Sequence, residues 1–426
     1  MAAPGPEILT LQADVERRAR ESGLPVPEIR YEVVDHRELN EIAAYGGFPV
    51  RYPHWRFGME YDRLIKGHTY GLQKIYELVV NTEPVVAYLL RQNSAVEQKL
   101  VMAHVCGHAD FFRANAWFRH TDRNMLDVMA SHGARIRTLA DRHGRAEVEA
   151  FVDRVLSLDN LVDAGAMGRA RYIPGNAPPL EDEAVAGDVL GHLLLLAPLS
   201  AWQQEVLAIL RDEAYYFLPQ SLTKVMNEGW ASFWHSRLMT GTLLRDAEVV
   251  DYAESHAGAM GGDGPMNPYK LGLELYLSLL ERSDGDLAPL FEARAIHNDV
   301  TFVENFLDPA FCAAHGLAGD EQEYWQVREE TLAMLTNGGQ PVIRLIEGDG
   351  PDLEMVHCWS GNELQLDQAE ETLRCLHALW RGPVRLYTRS DDRALLLSCT
   401  GDGPVEREYG DSLTGGEDDR AGDEAA

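Results

Sequence analysis

The stretch TKVMNEGWASFWHSRLM, Thr223 to Met239, sets Glu228 and His235 seven residues apart in an otherwise apolar run. Seven residues make two helical turns, so both side chains would leave the same face of a helix. A second stretch, KLVMAHVCGHADFFRANAWF from Lys99 to Phe118, places His104 and His108 four apart, again on one face. Imidazoles at i and i+4 are a common way for a helix to offer two nitrogens to one metal ion. Glu228 and His235 on a second helix would complete the set. The candidate ligands for zinc or another divalent metal are therefore His104, His108, His235 and Glu228.

Spacing alone carries little weight. With 15 histidines in 426 residues, chance supplies an HxxxH pair in roughly every second chain of this composition. Burial is the stronger signal. Polar groups inside strongly apolar helices must find partners or lose a few kcal/mol to desolvation. Two solutions fit. Either the four residues hold a metal, or they satisfy one another and the backbone in a core network without chemistry. A catalytic site would also need a general base. In zinc peptidases with HExxH the base follows the first histidine, but here Val105 stands there. The remaining candidates are Asp110, two residues after His108, and Glu228 itself with His104, His108 and His235 as ligands. Weaker polar islands are His68, Glu77 and Asn81, then Glu213, then Glu254 and His256, then His297, Asn298, Asp299 and Glu304. Their number suggests a polar cavity lined from several helices.

The elements that must position these groups are mostly helices. Apolar residues recur at i, i+3, i+4 and i+7 in 96–119, 122–142, 145–160, 200–216, 220–240 and 268–282. Breakers such as PGNAPPLED and GAMGGDGPMNP separate them. After Gly338 the period changes. PVIRLIEG and LEMVHCW read as strands, 366–380 as a helix, and PVRLYTR and ALLLSCT as strands. The expected fold is mainly α. A large multi-helix domain over 1–337 precedes a small α+β (ββαββ) domain over 338–408. An acidic tail over 409–426 is expected to be disordered.

Composition narrows the function classes. The chain has 68 acidic against 38 basic residues, and only five of the basic ones are lysine. Such a surface repels phosphate backbones and anionic lipid, which argues against nucleic acid and membrane as partners. No apolar run reaches the roughly 18 residues of a membrane span, and no basic-then-apolar leader opens the chain, so a cytoplasmic protein is expected. The five cysteines are scattered and form no CxxC pair, which fits reduced thiols. Excess acid with arginine in place of lysine also fits a halophilic source, where salt screens self-repulsion. On that reading the melting temperature rises steeply between about 0.1 and 2 M KCl. A flat or falling curve in thermal melts would remove the halophile reading.

Several longer strings carry a family signature: EYDRLIKGHTYGLQKIYELVVNTEPVVAYL, HVCGHADFFRANAWF, EAYYFLPQSLTKVMNEGWASFWH, YAESHAGAM, NPYKLGLELY and HNDVTFVENFLDPAFC. In this order, over roughly 10–400, the chain resembles the SpoVR family of stage V sporulation protein R-like proteins. The resemblance implies a role in sporulation or in stress and stationary-phase physiology. It also implies two partners, a PrkA-type serine protein kinase and a von Willebrand factor A-like protein. It implies no reaction or cofactor. Two functions are thus expected in competition. One is a metal-dependent hydrolase built on the histidine–glutamate cluster. The other is a non-catalytic regulatory partner of the kinase system.

Overall fold

A computed structural model describes residues 4–69, 77–168, 187–260, 267–346, 351–391, 393–401 and 403–410. Of the tail expected to be disordered over 409–426, Tyr409 and Gly410 belong instead to a strand, Glu406–Gly410, and 411–426 lie outside the described residues. These residues fall into two compact units. The first draws on Met1–Ala150, Met167–Pro174 and Tyr215–Gly338, the second on Phe151–Ala166, Gly175–Ala214 and Gly339–Ala426. The protein is mainly α with a small α+β C-terminal part. The change of period after Gly338 meets this division, and the second unit also takes in helical segments from 151–214.

In the first unit, helix α1 (Pro6–Glu21) is followed by a three-stranded sheet of β1 (Ile29–Val34), β2 (Glu77–Val80) and β3 (Val85–Leu90). Its order is β1-β3-β2, with β1 parallel and β2 antiparallel to β3. The helical periodicity reading passed over this sheet. The central strand, VVAYLL, is buried at all six positions, and an unbroken apolar run has no period that tells strand from helix.

Helix α2 (Ala95–Ala114) starts on a capping box, with Ser94 and Glu97 each accepting from the other's backbone N–H. From Leu100 to Phe112 every residue is buried, so the helix runs through the core rather than along its surface. Helix α3 (Lys224–Leu238) is nearly as enclosed. It packs most heavily against α2 and against α5 (Pro268–Arg282), with α4 (Val249–Met260) lying between α3 and α5 in sequence.

Two small-residue crossings set these distances. A Cβ on Gly107 of α2 would stand 2.6 Å from Ala231 Cα. On the other side, a Cβ on Gly272 of α5 would stand 2.1 Å from the Val225 carbonyl oxygen. Gly229 faces Gly272 as closely, its added Cβ falling 2.4 Å from the Gly272 carbonyl carbon. Gly229 and Ala231 lie two residues apart, about 200° around the helix. Helix α3 is therefore clamped on opposite faces. That explains why it is apolar all round rather than along one stripe.

Helix α6 (Ala288–Ile296) and α7 (Asp299–Phe306) complete the surroundings. Phe291, Phe302 and Tyr276 join Trp230 and Trp234 in one aromatic group, with Trp230 5.2 Å from Tyr276 and Tyr276 4.8 Å from Phe302 between ring centroids. Thr223, at the start of α3, caps nothing with its side chain. Asp299 does so instead, accepting from Val225 N and Met226 N at 2.9 Å each. Burial lifts its carboxyl to about 7, against the pull of those backbone N–H groups. A carboxyl held protonated more tightly in the folded state gives stability that is complete below about pH 4 and is lost as pH rises toward 7. Asp299→Asn keeps an acceptor and cannot ionise. Its stability relative to wild type should therefore improve across that window, by up to about 1.4 kcal/mol per pH unit in urea titrations. A difference independent of pH would show that Asp299 does not titrate there.

The second unit carries a five-stranded sheet of β4 (Ile343–Leu345), β5 (Leu353–His357), β6 (Val384–Ser390), β7 (Arg393–Cys399) and β8 (Glu406–Gly410), in that order. Only β5 and β6 are parallel, joined by α8 (Leu366–Trp380). Helix α8 covers β6 and β7 and buries Leu373, Leu376 and Leu379. The expected ββαββ unit is present with a fifth strand, β8, added. Among the described residues no helix is long and apolar enough to cross a membrane.

Candidate metal centre

The crossing of α2 on α3 at Gly107 and Ala231 places the polar residues. His104 and His108 flank Gly107 on one helix. Asn227, Glu228 and His235 flank Ala231 on the other, within about one turn of it. Glu228 Oε2 lies 3.5 Å from His104 Nε2 and 3.5 Å from His108 Nε2. One donor atom from each of the three lies within 4.8 Å of the others. A separation of 3.5 Å is long for a hydrogen bond. It is the right size for an edge of a ligand tetrahedron, since donors 2.0–2.2 Å from a zinc ion stand about 3.3–3.6 Å apart.

The electrostatics favour a cation. Burial raises the Glu228 carboxyl, but His108 and His104 outweigh it and hold it below its usual value. Burial pushes the His108 imidazole down to about 4, so it is neutral at physiological pH. The carboxylate is thus held down by a positive charge that burial denies to His108, so carboxylate and imidazoles share protons as one coupled buried cluster. Glu228 Oε2 is buried and makes no hydrogen bond among the described residues. The Glu228 side chain as a whole keeps 18% of its surface exposed, against 5% and 7% for the two histidines.

The outer nitrogens of both histidines are engaged. His108 Nδ1 donates to Asn227 Oδ1 at 2.9 Å. That fixes the proton on Nδ1 and leaves an Nε2 lone pair on the Glu228 side. His104 Nδ1 meets His235 Nδ1 at 2.9 Å, and His235 Nε2 meets His256 Nδ1 at 3.0 Å.

The structure thus brings together His104, His108 and Glu228 from the predicted set, and places His235 behind His104. Both ring nitrogens of His235 face other histidines. The seven-residue spacing puts His235 on the same face as Glu228, as expected, but about 10.5 Å further along the axis. Asp110 stands apart as well. It lies about 200° around α2 from His108, where its Oδ2 accepts from Trp230 Nε1 at 2.9 Å and sits 3.3 Å from Arg294 Nε. Burial raises its carboxyl to about 6 despite those two partners. Its printed partners are thus Trp230 and Arg294 rather than the histidines of the cluster.

The weaker islands divide. His256 joins through His235, and Asp299 caps α3. Asn81 Nδ2 donates to Thr121 Oγ1 at 3.1 Å, and Asn298 caps α7. Glu254 and Glu304 are exposed, and Glu213 is buried in the second unit. The side chains of His68 and Glu77 lie outside the described residues. Asn227 was not singled out in the sequence. Its only signal is adjacency to Glu228, and an uncharged amide does not stand out there.

Comparison with known proteins agrees with the strings quoted above. The chain matches the family described as SpoVR like protein over residues 5–174 and 174–332. It is 30% identical, over 472 aligned positions, to the protein titled Uncharacterized protein YcgB of Escherichia coli (strain K12), covering 90% of this chain and 92% of that one. No solved structure matches the chain. The histidine–glutamate cluster described here is therefore carried by a protein that belongs to the SpoVR family.

Proposed function

We propose that His104, His108 and Glu228 hold a divalent metal ion, zinc in the first instance, and that the protein is a metal-dependent hydrolase acting in stress or stationary-phase physiology. The observation that carries this reading is the buried Glu228 oxygen. It stands 3.5 Å from two imidazole nitrogens on another helix and has no hydrogen bond among the described residues. An ionised carboxylate left so is costly, and a shared cation would offset that cost for all three groups. Two imidazoles and one carboxylate leave a coordination position open, as catalytic zinc sites require. When bound, such an ion supplies Lewis acidity and lowers the pKa of a coordinated water toward about 7. The protein's share is to fix the donors. Asn227 holds the His108 ring, and the Gly107–Ala231 crossing sets the distance between the helices.

The test is elemental analysis of protein purified without a histidine tag, in high salt and without chelators. About one ion per chain is expected, and it should be lost in the double variant His104→Ala, His108→Ala while circular dichroism keeps its helical signal. The same measurement identifies the metal, because two histidines and a carboxylate also suit ferrous iron. Absence of any ion from wild type would overturn the reading. The alternative, a non-catalytic partner of the PrkA-type kinase and the von Willebrand factor A-like protein, would then stand in its place.

A further inference from the structure

We infer that His235 and His256 are positioning residues: with His104 they form a polarised chain of imidazoles that decides which nitrogen His104 presents to Glu228. The inference rests on the metal reading above and extends it to two residues outside the ligand set. The chain spans three helices. His104 is on α2, His235 on α3 and His256 on α4, linked Nδ1 to Nδ1 at 2.9 Å and Nε2 to Nδ1 at 3.0 Å. His235 is 1% exposed, so neither ring nitrogen can turn to bulk water instead. His256 is half-buried and stacks on Tyr252, four residues earlier on α4, at 5.5 Å between centroids.

Each hydrogen bond between two imidazoles holds one proton, and with neutral rings only two arrangements satisfy both bonds. In the first, His104 Nδ1 donates to His235 Nδ1, and His235 Nε2 donates to His256 Nδ1. His256 then carries its proton on Nε2, and His104 Nε2 shows a lone pair to Glu228. In the second, every donor becomes an acceptor, and His104 Nε2–H faces the Glu228 carboxylate. The first arrangement suits a bound cation and the second an ion-free carboxylate. Conversion between them takes one proton in at His256 Nε2 and releases one from His104 Nε2, so each ring keeps one proton and none gains charge. Most metal-bound histidines rest on a carboxylate or carbonyl that can only accept. Here the outer partner can do either. The direction is therefore set two rings away, at the half-buried end of the chain. His108 differs, because Asn227 Oδ1 can only accept.

The experiment measures zinc affinity by competition with a chromophoric chelator in the full chain, for wild type, His235→Leu, His235→Gln and His256→Leu. Removing an outer partner of a ligand costs about 10- to 100-fold in metal affinity. His235→Leu should show that loss. His235→Gln, which returns an acceptor to His104 Nδ1, should recover most of it, which a mere packing role would not explain. His256→Leu should weaken zinc binding by about 3- to 10-fold, a smaller loss because His235 remains. In wild type, nitrogen-15 shifts of the His104 ring should move to the Nδ1-protonated pattern when zinc is added. Wild-type protein that binds no zinc would overturn the metal reading itself. Wild-type protein that binds zinc, with His235→Leu or His256→Leu within about twofold of it, would overturn this inference alone. Should His235→Leu fail to fold, His256→Leu decides.

Discussion

Glu228→Gln is expected to weaken zinc binding by more than about 100-fold, the upper end of what loss of an outer partner costs. The substitution keeps the length and shape of the side chain and removes only the charge. The crossing at Gly107 and Ala231 should be undisturbed, circular dichroism should match wild type, and the metal-free melting temperature should be no lower than that of wild type, since a costly buried charge is removed. What changes is the one anionic donor of the set, since His108 is neutral and its proton already rests on the Asn227 side. Ligand linkage gives a second readout. A free zinc concentration 100 times the dissociation constant stabilises wild type by about 2.7 kcal/mol. The Glu228→Gln protein should show almost none of that rise at the same zinc concentration. Zinc binding at wild-type affinity after this substitution would place Glu228 outside the coordination set.

The parts of this arrangement that the sequence shows are those with a local pattern. Helical spacing put His104 with His108 on one face, and burial of both helices followed from their apolar surroundings. Convergence of the two helices followed from the cost of leaving their polar groups alone. The switch from helical to strand period marked the C-terminal sheet. What could not be read depends on where helices cross. Nothing in the string HVCGHAD says that Gly107 is the contact point, or that it meets Ala231 rather than another small residue. Without the crossing point, His235 and Glu228 look equivalent on their shared face. With it, one turn toward the N-terminus of α3 reaches His108, and one turn toward its C-terminus ends behind His104. The surroundings of Asp110 were hidden for a related reason. Acidity close to a histidine was visible, but the face it occupies belongs to Trp230 and Arg294. The sheet of β1, β2 and β3 was hidden by the absence of period in VVAYLL. The grouping of 151–166 with the C-terminal sheet joins segments nearly 200 residues apart, which no local pattern encodes.

Gly272→Ala is expected to destabilise the protein by about 3 kcal/mol or more, at or beyond the top of the usual range for overpacking. Two effects compete. Alanine favours the helix over glycine by up to about 1 kcal/mol, which would stabilise α5. Against it stands the new methyl group, 2.1 Å from the Val225 carbonyl oxygen and 2.8 Å from Gly229 Cα. Both are backbone atoms and cannot swing aside as a side chain would, so α3 itself must move. Its opposite face has no room, because Ala231 already meets Gly107. The steric term therefore wins. Gly58→Ala, in the helix Trp55–Thr69, serves as the contrast: nothing lies within 4 Å of its added Cβ, and the propensity gain should appear alone, as a rise of up to about 1 kcal/mol in urea titrations. The strain at Gly272 should also reach the site, since Glu228 precedes Gly229 in the chain and has no route to move independently of it. Weaker zinc binding is thus expected alongside the lower urea midpoint. A Gly272→Ala protein with the wild-type midpoint would show that the α3–α5 crossing opens cheaply, and the clamp could not then be what holds Glu228 against the two histidines.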